Sequence, residues 1–126
     1  VRRSPLILLA ASIALAAASD AAELLTLQRA CWVQEQQANP GVHIPPLHEG
    51  LADLEAWLGE WTTLVLRSSG RLVGAVRGRL DGETWDIGRL MAPLAPVSSA
   101  GDDIYLSLER RSPPGARVCL RADLTG

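Results

Sequence analysis

Apolar residues recur at helical spacing through Leu24, Leu27 and Cys31, with Leu25 and Trp32 widening the stripe, and this predicts an amphipathic helix. Asp20 with Glu23 three residues on has the form of a capping box at its start, and Asn39-Pro40-Gly41 ends it. The predicted helix runs from about Ala21 to Ala38 and buries Leu24, Leu27 and Cys31. Val42 to Pro46 carries two prolines and reads as an extended loop. Beyond it Leu51, Leu54, Trp57 and Leu58 mark a shorter second helix, with Gly59 near its end.

From Thr62 the period changes from helical to alternating. Thr62 to Arg67 is one predicted strand, Ser69-Gly70 a turn, and Arg71 to Leu80 a second strand. Asp81-Gly82 is a second turn, and Glu83 to Ala92 a third strand. Pro93 and Pro96 forbid its continuation inside a sheet, so a loop follows. Asp102 is placed to cap a third helix with Ile104 and Leu108 on one face, and Arg117 to Ala122 reads as a fourth strand. The order helix, helix, strand, strand, strand, helix, strand defines an α+β (mixed α/β) domain, a central and largely antiparallel sheet with flanking helices.

The amino terminus reads in two ways. Arg2 and Arg3 precede an apolar run from Leu6 to Ala18, which has the layout of a secretory signal; the other reading is an edge strand or buried helix packed on the domain. Residues 1–18 are therefore separated from a domain over residues 19–126. A bilayer span needs about 20 apolar residues, and Asp20 and Glu23 end this run too early, so no membrane span is expected.

The chain has 126 residues, 48% of them apolar, enough for one domain with a real core. Twelve arginines and no lysine face 14 acidic residues, and a net charge of −2 gives no electrostatic reason to expect nucleic acid as a partner. Cys31 and Cys119 do not form a C-x-x-C pair. His48-Glu49 lacks the second histidine that a zincin helix needs, so no metal is expected at His43, His48 and Glu49. No serine sits in a G-x-S-x-G elbow, which argues against acyl-enzyme hydrolysis. Trp57, Trp61 and Trp85 could stack a ligand, but at helical or strand spacing they are read as core.

The informative stretch is Gly70 to Ala92. A two-residue Asp81-Gly82 turn pairs Arg77 with Asp86 and Arg79 with Thr84, so both arginines share a face with Asp86. The opposite face then carries Leu72, Gly74, Val76 and Gly78 against Trp85, Ile87, Arg89 and Met91. Glycines inside strands mark close approach of a ligand or another backbone; a surface salt bridge beside twist-promoting glycines is the plainer reading.

Asp20 to Val33, Leu47 to Leu54 and Trp57 to Trp61 are similar to the first two helices of the GNAT-type acyl-CoA N-acyltransferases. Gly70-Arg-Leu-Val-Gly-Ala-Val-Arg-Gly-Arg-Leu followed by Trp85-Asp-Ile-Gly-Arg-Leu-Met-Ala-Pro resembles their third and fourth strands. The resemblance implies an acetyl-CoA dependent N-acetyltransferase acting on a small-molecule or peptide amine. It implies backbone groups of Leu90, Met91 and Ala92 on the pantetheine arm, Asp86 or Glu83 as a water-linked base, Arg77 and Arg79 on the substrate side, and no metal. The sequence departs from the family after this strand. Pro93-Leu-Ala-Pro-Val-Ser-Ser-Ala-Gly-Asp-Asp has one glycine, no basic residue and two acids where a coenzyme A pyrophosphate is held by amides and a helix N-terminus. The family's last helix and strands have no counterpart before Gly126, so the resemblance is to an incomplete, truncated GNAT fold. A cytoplasmic enzyme, with a homodimer left open, stands against a small secreted binding or structural protein.

Overall fold

The computed structural model describes residues 11–91 and 100–120. They form strand β1 (Ala11–Leu15), helix α1 (Ala21–Ala38), helix α2 (Leu51–Glu60), strands β2 (Thr62–Ser68), β3 (Arg71–Asp81) and β4 (Thr84–Met91), helix α3 (Ala100–Glu109) and strand β5 (Arg117–Leu120). The strands make one sheet in the order β1-β2-β3-β4-β5, antiparallel from β1 to β4 and parallel between β4 and β5. The fold is α+β with helices flanking the sheet, as the periodicity predicts. Within the amino-terminal apolar run, which reads either as a secretory signal or as an edge strand or buried helix, β1 pairs Ala11–Leu15 with Ser68–Leu64 at one edge of the sheet.

Two cores lie on opposite faces of the sheet. Helices α1 and α2 bring Ala21, Leu24, Leu54 and Trp57 against Val65, Leu72, Ala75 and Met91. Helix α3 lays Ile104 and Leu108 on Leu64, Leu66, Val76, Trp85 and Ile87. Complete burial of a leucine contributes about 1.5–3 kcal/mol, so Leu24, Leu54 and Leu108, each 0% exposed, are principal anchors of the layers. Helix α1 has the predicted limits. Leu24 is fully buried, Leu27 and Cys31 are half-buried, and the other fully enclosed position on that stripe is Gln28.

The start of α1 is built differently from the expected capping box. Asp20 makes no side-chain cap to the helix; its carboxylate accepts from the Ala17 amide and pairs with Arg67. Glu23 accepts from the Leu72 amide and from Arg67, tying the helix to β3 and β2. Long-range partners have taken both acids away from the orphan amides.

The Ser69-Gly70 turn is as predicted, with positive φ at both residues (53° and 81°), the combination a type I′ turn requires. The second turn is Gly82-Glu83 rather than Asp81-Gly82, since Asp81 pairs with Thr84. Gly82 has φ 61° at the first turn position, where glycine is the favoured residue of a type II′ turn. The register is therefore offset by two residues, which leaves every side chain on its predicted face but changes its neighbour. Two bulges do change faces. A register shift between Leu66 and Arg67 against Gly74 and Leu72 turns Leu72 to the α1–α2 side. Another falls where Ala75 pairs with Met91 but Arg77 pairs with Gly88, so two residues of β4 oppose one of β3. It turns Met91, and Arg89 with it, away from the Trp85 face on which alternation places them.

Candidate functional site

The β4 bulge is the centre of the polar groups buried on the α1–α2 face. Arg89 sits in it with φ 50°, a left-handed conformation unusual for a residue with a side chain, and is only 5% exposed. Its guanidinium pairs with Oε1 of Glu49, in the segment that leads into α2. The same oxygen accepts from Gln28 Nε2 of α1 at 3.0 Å and from Trp57 Nε1 of α2 at 3.1 Å. Gln28 Nε2 also donates to the Pro46 carbonyl at 3.0 Å. Burial pushes the Glu49 carboxyl up, but the hydrogen bonds and charge of Arg89, with those of Gln28 and Trp57, outweigh it and hold Glu49 below the usual carboxylate range. One carboxylate thus joins both helices, the loop between them and the bulged strand.

A row of stacked cations continues from this knot across the sheet. The Arg77 guanidinium carbon is 4.5 Å from the Trp57 ring centre and 4.1 Å from that of Trp61, and that of Arg79 is 4.2 Å from Trp61. Such contacts contribute about 0.5–2 kcal/mol each, more where water is excluded. Trp57 and Trp85 are buried, as a core reading predicts; Trp61 is half-buried and its ring is shared by two guanidinium groups. Arg77 is 8% exposed, whereas the Arg79 side chain is 45% exposed and stands 3.9 Å from Glu60, the outer limit of an ion pair.

The sequence-predicted residues divide by position. Arg77, Arg79 and Asp86 come together on the α1–α2 face, but Asp86 lies opposite Arg79, with Gly88 opposite Arg77. Asp86 is buried and pairs on its other side with Cys119 of β5. Glu83 is exposed in the turn, where its carbonyl accepts from the Arg117 amide. At about 3.3 Å per strand residue it lies about 25 Å from Met91, at the opposite end of β4. Leu90 and Met91 are in and after the bulge, and Ala92 lies outside the described residues. The divergent loop lies outside them too as far as residue 99; Asp102 and Asp103 are exposed in the first turn of α3.

Sequence reasoning singled out neither Arg89 nor Glu49 for this knot. The available signal was Gln28, a polar residue in the apolar stripe of α1, which once buried requires hydrogen-bond partners. His43 and His48 stack on each other with ring centres 4.4 Å apart. Among the described residues no group of three or more His, Cys, Asp and Glu side chains could hold a metal, and no helix is long and apolar enough to cross a membrane.

Two helices on one face of a bulged, mostly antiparallel sheet, one helix on the other, and a fifth strand parallel to the bulged one make a GNAT-like fold, the architecture of N-acetyltransferases. Among solved structures it is similar to the PaiA N-acetyltransferase of Thermoplasma acidophilum in complex with coenzyme A, with a TM-score of 0.66 and 15% identity over 81% of this chain and 71% of that one. A GCN5-related N-acetyltransferase from Ralstonia eutropha matches with a TM-score of 0.66 and 13% identity, over 89% of this chain and 83% of the other. An aminoglycoside acetyltransferase from an uncultured soil metagenomic sample, in complex with trehalose, has a TM-score of 0.68 and 14% identity over 90% and 78% of the two chains. No protein-family model matches the chain, and no curated protein matches its sequence.

Proposed function

We propose that this chain is an acyl-CoA dependent N-acyltransferase domain that moves an acetyl group from acetyl-CoA to a primary amine. The observation that carries the reading is the bulge at Arg89 in β4, which interrupts the ladder to β3 beside Leu90 and Met91 within a GNAT-like fold. Backbone groups freed from a ladder can bind an extended ligand and polarise a carbonyl that becomes anionic in the transition state.

The two ends of the cosubstrate fit unequally. The bulge suits the thioester end. At the other end Asp102 and Asp103, in the first turn of α3, oppose a diphosphate at the helix terminus that would otherwise favour it. The reading is therefore an acyltransferase with weak affinity for its acyl donor.

In the proposed reaction the neutral amine attacks the thioester carbon, the carbon–sulfur bond breaks, and the amine proton ends on the departing thiolate. Asp86 is the group assigned to take that proton from the amine through water and to return it, again through water, to the thiolate. It is three residues before Arg89, about 10 Å along the strand, a gap that water must bridge. Arg77 and Arg79, stacked on Trp61, line the acceptor side. Glu83, the other candidate base, lies in the turn before β4, far from the bulge, so Asp86 is the better placed of the two. Acceptor identity is open to a panel of small amines and peptides.

The experiment is thiol release from acetyl-CoA at several millimolar, with and without the amine panel, alongside amide spectra of Leu90 and Met91 during the titration. Amine-dependent release together with movement of those amides is expected. The reading fails if neither occurs in the natural chain nor in the D102N/D103N variant.

A further inference from the structure

A residue with a side chain does not hold a left-handed backbone without cost, and Arg89 is held there in a buried site. The groups holding it come from outside its strand. Glu49 pairs with its guanidinium, and Gln28 and Trp57 fix Glu49 from α1 and α2. Gln28 is itself 0% exposed and anchored on the Pro46 carbonyl. The direct partners of the Glu49 carboxylate are thus all donors, and they converge on a single oxygen.

We propose that Glu49 is a positioning residue: acting through Arg89, it sets the backbone conformation of the β4 bulge, and thereby the direction of the Leu90 and Met91 backbone groups. Its importance to catalysis rests on the acyltransferase reading above, whereas its control of the bulge does not. Glu49 would touch neither acyl donor nor acceptor. Removing its charge leaves a buried guanidinium without its counter-ion, and Arg89 then gains more from turning toward water than from staying left-handed. The bulge would relax, and Met91, now 2% exposed in the α1–α2 core, would lose the face it occupies.

Glycine supplies the test, because it adopts positive φ without the side-chain penalty. In R89G the bulge needs no clamp, so Glu49 should no longer matter to it. The experiment compares E49Q in the natural background with E49Q in the R89G background, reading the amide and Cα chemical shifts of Leu90 and Met91 without ligand. Large displacements are expected in the natural background, and their near-disappearance in the R89G background. If E49Q alone does not fold, the E49Q/R89G chain should fold, and its shifts should match those of R89G. Unmoved amides in E49Q, or equal displacements in both backgrounds, would overturn the proposal. Acetyl-CoA titration of the same samples then separates the two ideas. Where the donor binds, E49Q should weaken binding at least fivefold in the natural background and less than twofold in R89G. A chain that never binds acetyl-CoA removes the acyltransferase reading, while the ligand-free shifts still decide the clamp.

Discussion

Asp86 stands across the β3–β4 ladder from Arg79, two rungs beyond Arg77. That two-residue offset assigns the buried acid to the half-exposed outer arginine of the stacked row in the register, and places Arg77 level with Gly88, next to the bulge. The pairing follows from a turn at Gly82-Glu83, and the turn is therefore the first point at which the structure can be tested.

Gly82 has φ 61° and open space around the position of a Cβ, so any penalty for adding one is conformational rather than steric. Gly82→Ala should destabilise the domain by about 1–2 kcal/mol. Gly59, inside α2, likewise has open space but an ordinary helical backbone, and Gly59→Ala should stabilise by up to about 1 kcal/mol. Urea unfolding of the two variants should move in opposite directions; parallel movement would refute the turn assignment.

Gly78 presents the reverse case. A Cβ there would lie 3.0 Å from Leu108 Cδ2 and 3.0 Å from the Trp85 ring, whose indole donates to the Leu108 carbonyl. Gly78→Ala should cost about 1–3 kcal/mol through overpacking, and should disturb the Trp85 environment. An unchanged melting temperature with an unchanged near-ultraviolet tryptophan signal would count against the close packing of α3 on the sheet.

Acid should loosen the Glu49 knot. The folded Glu49 carboxyl lies below its ordinary value, so the stability it contributes is present above about pH 4.3, the ordinary glutamate value, and is lost as pH falls through the lower folded value. Glu23, held low chiefly by the Leu72 amide and then by Arg67, titrates in the same direction. Stability measured from pH 7 to pH 3 should fall in the natural chain and fall less steeply in E49Q, which keeps only the Glu23 part of the two. Identical slopes would show that Glu49 is not linked to folding.

Donor affinity should respond to the first turn of α3. Like charges a few ångströms apart cost about 1 kcal/mol per pair even in water, and Asp102 and Asp103 are both there. Acetyl-CoA should bind the natural chain with a Kd weaker than about 1 mM, equivalent to only about 4 kcal/mol. D102N/D103N should tighten it about tenfold. Micromolar binding by the natural chain in calorimetry would overturn this expectation.

Much of the fold is legible in the sequence because it depends on local rules. The α1 stripe, its Asn39-Pro40-Gly41 stop and the Ser69-Gly70 turn announce themselves within a few residues. The β3–β4 register is less legible because Asp81-Gly82 and Gly82-Glu83 are both plausible two-residue turns that preserve the same faces. Packing and pairing along the whole hairpin decide between them. The bulges leave no alternation signal that distinguishes Arg89 from a regular strand residue. Nor does sequence proximity reveal that Gln28, Trp57 and Arg89, on three different elements, share one oxygen of the half-buried Glu49 carboxylate. Asp86, Arg77 and Arg79 were legible as one face; their exact neighbours were not.

The two cores meet at the sheet without sharing a buried side chain between their clusters. They therefore constitute two hydrophobic reservoirs divided by a backbone partition. Water entering beneath α3 first reaches Ile104, Leu108 and Trp85, while the Glu49 carboxylate remains behind the strands. Breathing on the α3 side can consequently renew that surface's hydration without loosening the polar knot, and amide exchange should show the α3 layer opening at lower free energy than the α1–β4 junction.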